Sequence, residues 1–121
     1  MTTLGLYIHL EALPGREFEL ECFLRDALPI VQQEMGTTVW FACRICPSTF
    51  AIFDAFADEY ARRAHLEGKV AAALIARAPD LLARPPIVER MDILADKIPG
   101  SMTSKDEVEE DRPEADYRSH I

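Results

Sequence analysis

At 121 residues the chain can bury one core, domains running to roughly 100–200 residues, and 49 % apolar with 28 % charged residues excludes a fibrous or wholly disordered protein. A formal net charge of −8 without any basic stripe excludes nucleic acid as an expected partner. No apolar run approaches the roughly 20 residues that span a bilayer, and residues 1–5 lack the positive start and apolar stretch of a secretion signal, so the expected location is the cytoplasm, away from any membrane.

Leu4, Leu6, Ile8 and Leu10 alternate with Gly5, Tyr7, His9 and Glu11, a period of two that predicts a first strand with one apolar face. Pro14 and Gly15 turn the chain. Leu20, Phe23, Leu24, Ala27 and Val31 then recur at helical spacing, with Pro29 expected to kink or end that helix. Thr37 to Cys46 is rich in β-branched and aromatic residues and predicts a strand apolar on, and covered on, both faces. Pro47 and Ser48 lead into Phe50–Phe56, a third strand paired to the second as a hairpin. Asp58 suits a helix cap, and from Tyr60 onward Ala64, Gly68, Ala71, Ile75 and Ala78 form one small-residue stripe on a second helix, stopped by Pro79. Leu81 and Leu82 predict a short further turn, and Ile87–Ala95 a fourth strand after Pro85 and Pro86.

The order β-α-β-β-α-β is the ferredoxin-like unit of the α+β class, a four-stranded antiparallel sheet with both helices on one face. A domain this short has no third layer for the other face, so the simplest cover is a second copy, and a homodimer is expected. Cys43 and Cys46 form a C-x-x-C, but three residues of strand span about 10 Å, beyond the roughly 7 Å that a disulfide tolerates between Cα atoms. No second Cys pair or nearby His completes a tetrahedral zinc site, so no metal is expected. The domain is expected over residues 1–97. Residues 98–121 read as a solvated tail, with seven carboxylates against two basic residues between Lys105 and Asp116. A strap across the partner subunit is the alternative role for that tail.

An ordered pattern runs through the domain: Pro14 and Gly15; Glu34, Gly36 and Thr37; Pro47 and Phe50; then Phe56, Asp58, Ala64, His65 and Leu66. In this pattern residues 4–97 resemble the antibiotic biosynthesis monooxygenase domain family, a branch of the dimeric α+β barrel proteins. The resemblance implies two sheets facing each other in a homodimer and a ligand pocket between sheet and helices in each subunit. It also implies oxidation of a small phenolic or quinol-type aromatic by O₂ with no added cofactor. His65 matches the family histidine and would serve as base or orienting group for an acidic phenol. It reads equally well as a histidine that only hydrogen-bonds at the helix–sheet seam. Trp40 and Phe56 stand where relatives often carry Tyr and Trp. With Tyr60 and Ile8 they are the expected substrate-binding residues, though aromatics there serve a core as readily. The haem-degrading branch uses an Asn on strand one. This chain has no Asn, and Ile8 stands near that place, so a haem cofactor is not expected. A non-catalytic dimer that holds a small hydrophobic molecule is the rival reading.

Overall fold

The computed structural model describes residues 2–99. The alternating segment forms β1 (Leu4–Glu11), and α1 (Glu17–Val31) follows a turn in which Gly15 takes a positive φ of 89°, a conformation glycine adopts without penalty. Next come the hairpin strands β2 (Thr37–Cys46) and β3 (Thr49–Phe56), the helices α2 (Glu59–Leu66) and α3 (Lys69–Leu81), and the last strand β4 (Ile87–Asp92). The sheet runs β2-β3-β1-β4 with every neighbouring pair antiparallel, which is the ferredoxin-like α+β arrangement that the element order implied.

Successive side chains on a strand point to opposite faces. Ile8 and Leu10 of β1 and Phe50 and Ile52 of β3 therefore share the face that packs on Leu20 and Leu24 of α1 and Leu74 and Leu81 of α3. Each such side chain contributes about 1.5–3 kcal/mol when fully buried, so this layer holds the fold together. A second cluster of Ala27, Val31 and Val70 continues it along the helices, and Trp40 packs against both clusters.

Four expectations change on folding. Pro29 lies inside α1, which continues to a buried Val31. Its ring removes one hydrogen bond close to the helix end, and the packing of Val31 on Ala27 and Val70 holds the last turn. The single helix expected after Asp58 is two, parted at Glu67 and Gly68, with Pro79 inside the second. Gly68 is extended there, and a Cβ on it would stand 3.2 Å from the Ala64 carbonyl oxygen. The break rotates the buried face, so Val70, Leu74 and Leu81 face the sheet while Ile75 of the expected stripe is 69 % exposed. The strand expected to be covered on both faces, β2, is an edge strand with no buried residue in the single chain. The fourth strand ends at Asp92 rather than Ala95. The acidic stretch from Lys105 to Asp116 lies outside the described residues.

The face of the sheet away from the helices carries Tyr7, Phe41, Phe53, Ala51, Ala55 and Ile87, by the register of β1 with β3 and β4 and of β2 with β3. Phe41 stacks on Phe53 with centroids 6.5 Å apart and is still 57 % exposed. No element of the described chain covers this face.

Candidate functional site

Asp58 is extended and its carboxylate accepts the Ala61 backbone N–H at 2.8 Å, which starts α2 and sets the angle at which the helix leaves β3. Two turns on, this brings His65 down onto the sheet, where it is buried. Its Nε2 lies 3.0 Å from Oδ2 of Asp54 on β3. Its Nδ1 lies 2.6 Å from Oε1 of Glu34, in the loop between α1 and β2. Thr37 at the start of β2 donates to the same Glu34 oxygen at 2.8 Å and fixes its rotamer. The loop can come this close because residue 36 is glycine: a Cβ there would fall 2.5 Å from the Ala61 Cβ. The Phe56 ring, tilted 44° with its centroid 5.3 Å away, closes one side of the imidazole.

Asp54 is 0 % exposed and sits in phase with Phe50, Ile52 and Phe56 on the helix-facing side of β3. Among the described residues its carboxylate oxygens receive no well-directed hydrogen bond, and the His65 ring is its charge partner. Burial pushes the Asp54 carboxyl above its ordinary value, and the adjacent ring draws it part of the way back. For His65, burial works against the charged ring, but Asp54 and Glu34 outweigh it and hold its proton above the ordinary value. The result is a carboxylate–imidazole–carboxylate chain with a retained proton at its centre. The three groups do not converge on a point, and among the described residues no cluster of His, Cys, Asp and Glu is disposed to hold a metal ion.

The raised values fix a pH dependence. The folded chain binds more protons than the unfolded chain, so stability falls as pH rises. The His65 contribution is complete below its unfolded value near 6.5 and is lost as pH climbs through the raised folded value. Asp54 adds a loss of the same sign, starting from 3.8. Glu11, held low by Ser48 and Thr49, and Glu21, held low by Arg25, act at the acid end with the opposite sign. Urea midpoints should therefore decline as the pH is raised from about 6.5. A midpoint that stays flat or rises contradicts the assignment.

Both ring nitrogens are engaged, so His65 reaches a ligand only through its partners. Glu34 is the accessible end: it lines a cavity of about 410 Å³ with Pro29, Ile30, Gln33, Ala64, Gly68 and Lys69. On the other side, Trp40 is the cross-strand partner of Asp54 and opens onto a cleft of about 700 Å³ between α1 and β2. Leu24, Leu28 and Phe50 line that cleft with it, and Glu21, Arg25 and Arg44 stand at its rim. Of the residues expected to bind substrate, Phe56 meets His65 and Trp40 neighbours Asp54. Ile8 is sealed in the core, and Tyr60, 79 % exposed, is turned to solvent on α2. The structure thus brings His65, Phe56 and Trp40 into one region and leaves Ile8 and Tyr60 out of it. Sequence reasoning passed over Asp54 and Glu34 as site residues. Asp54 carried a signal, a carboxylate in phase with three core residues, which needs a charge partner.

No family model matches the sequence, and no curated protein does. Solved structures do, and the antiparallel sheet with its helices on one side is the fold of antibiotic biosynthesis monooxygenases. A structure described as an antibiotic biosynthesis monooxygenase superposes with a TM-score of 0.67 at 15 % identity, over 76 % of this chain and 99 % of that one. PA3566 from Pseudomonas aeruginosa superposes with a TM-score of 0.69 at 22 % identity, over 78 % and 97 %. Within that fold the chain belongs to the family of NE2512, a protein of unknown function from Nitrosomonas europaea. The two share 55 % identity over 82 % of this chain and 96 % of that one, with a TM-score of 0.81. No helix among the described residues is long and apolar enough to cross a membrane.

Proposed function

We propose that the chain is a cofactor-independent monooxygenase that oxidises a small quinol-type aromatic with O₂, working as a homodimer. The observation that carries the reading is the buried Asp54–His65–Glu34 chain, a costly arrangement unless each charge is matched. The Trp40 cleft supplies the apolar walls against which an electron-rich ring can stack. Deprotonation of the ring hydroxyl makes it a reductant. A hydroquinone and O₂ then give a hydroxyquinone and water, one oxygen atom entering the ring and the other leaving in the water, with every electron drawn from the substrate. His65 is an orienting group in this scheme: it holds Asp54 and Glu34 in place and carries the balancing charge beside the cleft.

The sheet face away from the helices supports the homodimer, because Phe41 and Ile87 stand exposed on it beside Tyr7 and Phe53 and no helix of the described chain lies over it. A second reading, a dimer that holds a small hydrophobic molecule without turning it over, is favoured by one observation: His65 is buried with both nitrogens occupied. Oxygen-electrode measurements with a panel of hydroquinones and polyphenols separate the two. Wild-type protein should consume O₂, and Asp54→Asn and His65→Gln should lower the rate by about 10²–10⁴, the usual range for a lost proton-transfer group. No uptake by the wild type with any of the panel, or equal uptake by the variants, rejects the enzyme reading.

A further inference from the structure

At the mouth of the Trp40 cleft two arginines share one carboxylate. Arg25 of α1 donates to Glu21 Oε2 from Nε at 3.0 Å and from Nη2 at 2.9 Å. Arg44 of β2 pairs with the other oxygen of Glu21, and its guanidinium lies 5.0 Å from the Phe50 ring centroid. The rim thus carries a surplus positive charge on a chain whose net charge is −8. Inside, Leu24, Leu28 and Phe50 make apolar walls. Trp40 lines the cleft while its indole packs against both core clusters.

We propose that this cleft selects an aromatic carboxylate, with its rings against Trp40 and Phe50 and its acid group on Arg44, Arg25 reinforcing the field. Glu21 leaves Arg44 with donors to spare, because a guanidinium offers five N–H groups in a planar fork suited to a carboxylate. Trp40 and Arg44 are four residues apart on one face of β2, an interval of about 13 Å. The arginine side chain spans part of it, and one or two fused rings fill the rest. The inference rests on the Trp40 cleft being the substrate site of the proposed enzyme, and it narrows the substrate to an anionic aromatic.

Trp40 is the single tryptophan of the chain, so its indole N–H gives one resonance that reports on the cleft. The probes are 2-naphthoate, 6-hydroxy-2-naphthoate and the neutral 2-naphthamide, titrated into the full-length protein by calorimetry and by ¹⁵N-correlated NMR. Both acids should bind at least about tenfold more tightly than the amide, a difference of about 1.4 kcal/mol, and they should shift the indole signal. Raising the salt should narrow the gap, because the anchor is partly exposed. In Arg44→Gln the preference should fall to within about twofold while the amide binds as before. Equal binding of acid and amide by the wild type, an unmoved indole signal during binding, or a preference kept in Arg44→Gln overturns the inference. Oxygen uptake with an uncharged hydroquinone but no preference for the acids sinks this inference and leaves the enzyme reading standing. Preference for the acids without uptake of O₂ by any hydroxylated acid does the reverse.

Discussion

His65→Ala should destabilise the domain by about 3–5 kcal/mol at neutral pH, the usual cost of leaving one member of a buried ion pair behind. The loss comes less from the missing ring than from Asp54, whose carboxylate is wholly enclosed and has no other charge partner in contact among the described residues. A domain of this size has only about 5–15 kcal/mol in total, so the variant should melt far earlier or fold only at low pH, where Asp54 is neutral. Asp54→Leu combined with His65→Leu should recover most of the loss, since well-packed apolar groups in place of a buried ion pair are often neutral or better. Chemical denaturation of the wild type, both single variants and the pair gives the coupling directly. A single variant within 1 kcal/mol of the wild type would show that Asp54 finds its compensation elsewhere.

Phe41→Glu should dissociate the proposed homodimer, raising its dissociation constant by about 10³ or more. In a two-fold interface each substitution enters twice, and each buried carboxylate costs several kcal/mol when it leaves water unpaired. A total penalty of about 4 kcal/mol already corresponds to a thousandfold. Phe41 stands in the uncovered face, stacked on Phe53, and no residue of the helical layer touches it in the described clusters. The monomer should therefore keep its own core, visible as retained helical circular dichroism. Sedimentation equilibrium across nanomolar to micromolar protein settles the matter: a wild type that is monomeric at micromolar concentration removes the dimer, and an unchanged dimer in Phe41→Glu moves it to another face.

Much of the architecture was legible because the sheet-forming segments keep strict periods. Leu6, Ile8 and Leu10 declare the inner face of β1, and the run Phe50 to Phe56 declares β3. Errors arose where one residue answers to two constraints. Pro29 breaks helices in general, yet the burial of Val31 two residues later carries α1 past it. Gly68 looked like one more small residue on a helical stripe, and it marks instead where the chain starts a new helix. The aromatic and β-branched run of β2 described a strand covered on both sides, whereas within one chain it lies at an edge, because its cover is expected from outside the chain. The same logic separates His65 from its partners at the site. Its resemblance to the family histidine was local in the sequence, but Glu34 and Asp54 are 31 and 11 residues away and meet it only through the fold.

The contact between residue 36 and Ala61 places two distant points of the chain under one joint condition. Neither can grow alone: a methyl group on the first, or a bulkier side chain on the second, would lift the connecting loop and carry Glu34 off the imidazole. The two positions are thus tied to each other by clearance, although neither takes part in chemistry. A library that randomises the pocket walls should therefore hold this pair fixed, so that the loop bearing Glu34 keeps its seat.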